Sequence, residues 1–171
     1  MTALIVCLAG AAPARAAACC AIRWSSLGTA GGPVPTADRA EPSNLLVAGD
    51  QQILVDTGDG TVNQLAGLGM DMRRIRTVFI SHLHLDHSGG LAAVIGLRWM
   101  NQFPGQLTIY GPPGIREVVD GIIASMAPPA RIGFGLGTPP PGVAASVRAV
   151  ELRDGQIVQL GDGLTVKAAA N

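Results

Sequence analysis

The sequence predicts an α+β fold in which two β-sheets stack on each other and helices cover the outside. Two observations support it: strand pairs joined by short turns occur near both ends of the chain, and strands alternate with helices in its middle. Apolar residues make up 48% of the 171 residues, which is enough for one domain with a substantial core. Basic and acidic residues balance at 12 each, so the net charge of zero gives no general electrostatic reason to bind nucleic acid.

The strands are predicted from short apolar runs, several of them rich in β-branched residues, that end at turn residues. Gly49-Asp50 is a strong hairpin signal between two such runs, and Asp154-Gly155 separates two more. The predicted strands lie at residues 23–27, 44–48, 52–56, 75–80, 107–110, 146–152, 156–160 and 164–169.

The helices are predicted from apolar residues that recur at helical spacing. The predicted helices lie at residues 61–68, 90–101 and 114–126. In the second of them we expect Leu91, Val94, Ile95 and Met100 to form the buried side. Residues 127–142 are rich in Pro and Gly and predict a flexible surface segment.

The first 20 residues differ from the rest of the chain. Residues 2–14 are almost wholly apolar, and Ala14-Arg15-Ala16 has the small-x-small pattern of a signal-peptidase site, although no Lys or Arg precedes the run. The run is too short for a stable membrane span. We expect residues 1–20 to be a signal peptide or a disordered leader and residues 21–171 to form the domain. A cleaved signal predicts a periplasmic or secreted protein; without one the protein is cytoplasmic.

The residues with the clearest chemical meaning follow the predicted strand 75–80. His82, His84, Asp86 and His87 fall within six residues and include every histidine of the chain. Imidazole and carboxylate suit zinc, and manganese or iron can use the same ligands. His82 and His84 lie two apart on an extended segment and can share one ion, while Asp86 and His87 follow a bend and can face a second. Two ions roughly 3.5–4 Å apart can ionise a bridging water.

This pattern resembles the H-x-H-x-D-H signature of the metallo-β-lactamase fold hydrolases. Residues 26–29, 54–61 and 109–114 are similar to the branch that holds tRNase Z and the arylsulfatase-like hydrolases. The resemblance implies an αββα sandwich and two zinc ions, with His82 and His84 on the first and Asp86 and His87 on the second. It also implies that Asp86 positions the attacking water and that Asp56 supports the ligands through hydrogen bonds.

The chain departs from the family pattern after His87, because no further histidine follows it. The resemblance implies three more ligands in a C-terminal half, so we expect the N-terminal half of the sandwich plus the start of the second half. We expect this chain alone to bind less than one zinc ion tightly.

The predicted function is metal-dependent hydrolysis of a small ester, sulfate ester or lactone. The predicted partner is therefore a small molecule and not nucleic acid, and a homodimer is left open. Two alternatives remain: a tRNA 3′-processing endonuclease of the tRNase Z type, and an inactive truncated fragment. The one basic cluster, Arg73-Arg74-Ile75-Arg76, is interpreted as a solvated helix end.

Overall fold

A computed structural model describes residues 2–5, 22–32, 34–132, 142–161 and 163–170 of the chain. The strands within these residues are β1 (Thr2–Ile5), β2 (Ile22–Gly28), β3 (Ser43–Ala48), β4 (Gln51–Thr57), β5 (Ile75–Phe79), β6 (Leu107–Gly111), β7 (Val147–Glu151), β8 (Ile157–Gly161) and β9 (Leu164–Ala170). The helices are α1 (Thr61–Gly67), α2 (Leu85–Ser88), α3 (Leu91–Met100), α4 (Ile115–Ser125), α5 (Ala127–Ile132) and α6 (Val143–Ser146), with a 3₁₀ turn at Met72–Arg74.

The strands form two sheets. The larger has the order β2-β3-β4-β5-β6-β7, in which β2, β3 and β4 are antiparallel and β4 to β7 run parallel. The smaller has the order β1-β9-β8 and is antiparallel throughout. Because parallel strands end at the same edge of a sheet, the loops that follow β4, β5 and β6 lie side by side.

The core is divided between the two faces of the larger sheet. On one face, strand residues such as Leu54 and Val78 pack with Leu91 and Ile95 of α3. On the other face, Phe79 and its neighbours pack with residues of β9 in the smaller sheet. The described residues therefore form a helix layer, a sheet and a second sheet, which confirms the predicted stacking.

The buried side of α3 differs from the prediction at one residue. Met100 is 36% exposed, whereas Trp99 and Arg98 are buried. Residues 91, 94, 95, 98 and 99 keep strict helical spacing, and position 100 falls outside that stripe. Arg98 is tolerated in the core because its guanidinium donates to the carbonyl oxygens of Met72, Pro104 and Gly105.

The Pro- and Gly-rich segment 127–142 was predicted to be a flexible surface segment, and its first part is indeed exposed but is helical. Ala127–Ile132 forms helix α5. Proline is compatible with the first turn of a helix, where its missing N–H has no partner to lose. Residues 133–141 lie outside the described residues.

The predicted leader contains strand β1, which pairs with β9 through registers such as Thr2 with Ala170. Strand β9 thereby lies between β1 and β8. Residues 6–21 lie outside the described part of the chain, so the signal-peptide or leader assignment and the localisation stay predictions. Among the described residues no helix is long and apolar enough to cross a membrane.

Candidate metal centre

The histidine loop and Asp56 meet because β4 and β5 are parallel neighbours. Val55 is in register with Phe79, so the residues that follow each of them reach the same edge of the sheet. His84 has an extended backbone, with φ −63° and ψ 147°, and the chain then enters α2. Asp86 and His87 therefore lie on a helical turn, whereas His82 and His84 lie on the extended segment before it.

All four predicted ligands lie together. Ligand atoms of His82, His84 and Asp86 lie within 4.8 Å of one another. The ring of His82 is 4.7 Å from that of His84 and 4.0 Å from that of His87, measured between centroids. Nε2 of His87 is 3.7 Å from a carboxylate oxygen of Asp86. Imidazole nitrogens and a carboxylate at these separations fit a divalent cation of zinc-like preference.

Asp56 is the buried acceptor at the centre of this loop. It is only 6% exposed, and its φ of 62° is in the left-handed region that few residues other than glycine adopt. Its Oδ1 accepts the backbone N–H of Ser81 at 2.7 Å. Its Oδ2 lies 2.9 Å from the Ser81 hydroxyl and 2.8 Å from Nδ1 of His87. The predicted supporting position of Asp56 is thus matched by three hydrogen bonds.

Ser81 is a site residue that sequence reasoning missed. Its hydroxyl contacts Asp56 and also lies 3.1 Å from Nδ1 of His82. The only sequence signal was its place between the end of a buried strand and the first histidine.

Two glycines allow the loops around the site to pack closely. A Cβ on Gly58 would lie 2.2 Å from the carbonyl oxygen of Asp86, and one on Gly90 would lie 2.5 Å from the carbonyl oxygen of Gly58. The N–H of Gly90 donates to the carbonyl of Thr57 at 2.8 Å, which ties the end of β4 to the start of α3. The backbone contact between Gly58 and Asp86 therefore requires glycine.

The electrostatic environment favours neutral imidazole at His82. Burial lowers the pKa of His82 below its ordinary value of 6.5, and positive charge on His87 and His84 lowers it further. Neutral imidazole is the form that binds metal, so protons compete with an ion at this ring only in acidic solution.

A sequence profile of a protein family matches residues 26–119, which is more than half of the chain. The family is described as "Anti-Pycsar protein Apyc1". The chain belongs to this family. The matched stretch runs from β2 into α4 and includes the whole histidine loop.

Curated relatives carry the name ribonuclease Z. The protein of Mycolicibacterium gilvum is 38% identical over 145 residues, covering 80% of this chain and 48% of the relative. That of Mycobacterium marinum is 35% identical over 157 residues, covering 86% of this chain and 53% of the relative. The chain thus spans about half the length of these relatives.

Solved structures agree on the fold. Human tRNase Z, short form, is 33% identical with a TM-score of 0.53, covering 60% of this chain and 39% of the human one. The metallo-β-lactamase fold protein YhfI of Bacillus subtilis has a TM-score of 0.61 at 21% identity, covering 82% of this chain and 49% of its own. These findings confirm the predicted metallo-β-lactamase superfamily, its tRNase Z branch and the α+β fold.

The predicted hydrolysis of small esters, sulfate esters or lactones is wrong, because the relatives are ribonucleases by name. The expectation of a small-molecule partner and no nucleic acid conflicts with the same finding. It relied on the net charge of this chain and on its signal-like first residues, and the chain spans about half the length of these relatives. Arg73 and Arg74 do form ion pairs, with Asp71 and Asp50, as a solvated helix end would.

Proposed function

We propose that this chain carries the metal-binding part of a tRNA 3′-processing endonuclease of the ribonuclease Z type. The observation that supports it most is a preassembled His82, His84, Asp86 and His87 cluster in a chain related to ribonuclease Z over 145 residues. The reaction is hydrolysis of a phosphodiester bond: water adds to phosphorus, and the bond to the leaving oxygen breaks.

We further propose that the resident ions are zinc, with manganese or iron as alternatives that the same ligands accept. His82 and His84 would hold the first ion, and Asp86 and His87 would hold the second. When bound, such ions supply positive charge to the phosphate oxygens and a water that ionises near neutral pH.

The residues of the chain have separate roles in this proposal. The Asp86 carboxylate would accept a hydrogen bond from the attacking water and so orient that water toward phosphorus. Asp56 fixes the loop through Ser81 and the His87 ring, as the contacts of 2.7 to 2.9 Å support. The change from extended backbone at His84 to helix α2 brings ligand atoms of His82, His84 and Asp86 within 4.8 Å of one another.

The test is cleavage of a precursor tRNA with a 3′ trailer by the protein. We expect Zn²⁺- or Mn²⁺-dependent release of the trailer, and a loss of at least a thousandfold in His84→Ala. Exposed Asn101→Ala, on the far end of α3, is a matched surface control that should keep full activity. Trailer release that His84→Ala leaves intact, or no cleavage of any precursor tRNA with either metal, would refute the proposal.

A further inference from the structure

The hydroxyl of Ser81 lies between the buried carboxylate of Asp56 and the first histidine of the loop. The direction of each hydrogen bond follows from the groups involved. The Ser81 O–H donates to the carboxylate oxygen Oδ2 of Asp56 over 2.9 Å. The Ser81 N–H donates to the other oxygen of the same carboxylate over 2.7 Å, which fixes the backbone beside it.

A hydroxyl has a single hydrogen, and in Ser81 that hydrogen points at Asp56. Toward His82 the Ser81 oxygen can therefore only accept. The 3.1 Å contact with Nδ1 of His82 then requires a hydrogen on Nδ1. In a neutral imidazole with hydrogen on Nδ1, the free lone pair is on Nε2.

The same carboxylate acts directly on a second ring. Nδ1 of His87 lies 2.8 Å from Oδ2 of Asp56, so this ring also has its hydrogen on Nδ1 and its lone pair on Nε2. The rings of His82 and His87 are 4.0 Å apart. One buried carboxylate thus orients two neighbouring rings, one directly and one through a serine.

We propose that Ser81 is a positioning residue that sets the tautomer of His82. Its hydroxyl donates to Asp56, and its oxygen accepts the hydrogen on Nδ1 of His82. This inference rests on the proposed metal centre, for which Nε2 of His82 would be the ligand atom. The Ser81 hydroxyl keeps the lone pair of His82 on Nε2 before an ion binds. No proton therefore has to move between the two ring nitrogens when the ion binds.

The first test reads the tautomer directly. Long-range ¹H–¹⁵N correlation spectra of the chelator-treated chain at pH 8 distinguish Nδ1–H from Nε2–H imidazole. We expect His82 in the wild-type chain to be the Nδ1–H form. A wild-type His82 with its hydrogen on Nε2 overturns the proposal, and this result needs no variant to fold.

The second test compares three substitutions. In Ser81→Ala we expect the Nε2–H form to appear at His82 and zinc affinity, measured by chelator competition, to fall ten- to a hundredfold. Ser81→Thr keeps a hydroxyl and should retain both the tautomer and the affinity. Ser88→Ala removes a hydroxyl that donates to the backbone carbonyl of His84, so it should leave the His82 tautomer unchanged.

The proposal fails if Ser81→Ala keeps the wild-type tautomer and affinity, or if Ser81→Thr loses as much as Ser81→Ala. Neither measurement uses RNA. A failed cleavage of precursor tRNA would therefore refute the proposed function but not the role of Ser81. A His82 tautomer with hydrogen on Nε2 would refute the role of Ser81 but not the proposed function.

Discussion

Replacing Asp56 separates two physical effects at one residue, its hydrogen bonds and its backbone conformation. Asp56 accepts three hydrogen bonds and is 6% exposed, with a φ of 62°. Removing the carboxylate leaves three donors on Ser81 and His87 without this acceptor. A buried donor without a partner costs about 1–3 kcal/mol. These donors are only partly buried, so we expect a total loss of about 2–4 kcal/mol in Asp56→Ala.

The backbone effect reverses the usual order of alanine and glycine. The left-handed conformation costs a residue with a Cβ about 1–2 kcal/mol and costs glycine almost nothing. Glycine in turn loses about 0.4–1 kcal/mol through the greater freedom of its unfolded chain. We therefore expect Asp56→Gly to be more stable than Asp56→Ala by about 0.5–1 kcal/mol. Asp56→Asn should be the most stable of the three, because asparagine tolerates this conformation and keeps one acceptor oxygen.

Urea unfolding followed by circular dichroism, with chelator present, measures the three free energies of unfolding. The chelator removes any contribution from bound metal. The predicted order is wild type, Asp56→Asn, Asp56→Gly and Asp56→Ala, from most to least stable. If the free energy of unfolding of Asp56→Ala equals or exceeds that of Asp56→Gly, the argument from the left-handed backbone at this position is refuted. If Asp56→Ala has the same free energy of unfolding as the wild type, the argument from the three hydrogen bonds is refuted.

The other two predictions concern packing and protons. Gly58→Ala should lower the free energy of unfolding by about 1–3 kcal/mol, because its Cβ would lie 2.2 Å from the carbonyl oxygen of Asp86. Gly121→Ala is the matched control: apart from its chain neighbours and the backbone of its own helix, no described atom lies within 4 Å of its Cβ position in α4. Urea unfolding should therefore show a gain of about 0.5–1 kcal/mol. Equal effects of the two substitutions would contradict the packing argument. The pKa of His82 is lowered by burial, so the folded chain binds fewer protons there than the unfolded chain as pH falls through 6.5 and below. Metal-free wild type should therefore lose more unfolding free energy between pH 8 and pH 5 than His82→Asn does, and equal losses would exclude this contribution.

The sequence could predict that these four side chains lie together because they are close in the chain. His82, His84, Asp86 and His87 belong to one loop, and the strand before it is marked by β-branched residues. Ser81 was missed because serine carries no pattern of its own. Its role depends on Asp56, which is 25 residues away and reaches it only through the parallel pairing of β4 and β5.

Other differences have similar physical causes. Met100 was expected in the core because it is apolar, but its position around the helix exposes it. The same helix buries Arg98, whose guanidinium donates to three backbone carbonyls. Strand β1 was not predicted because a signal peptide and a buried strand can both consist of a short apolar run, so composition does not distinguish them. The predicted small-molecule substrate was wrong because this set of metal-binding side chains does not specify a substrate, which depends on other surfaces.

Zinc titration of the chelator-treated chain tests the central claim most directly. Competition with a chromophoric chelator gives the dissociation constant of the wild type, of His84→Ala and of the control Asn101→Ala. We predict saturable zinc binding that is weakened at least a hundredfold in His84→Ala and unchanged in Asn101→Ala. Equal affinity in wild type and His84→Ala would contradict the assignment of a metal centre to the histidine loop.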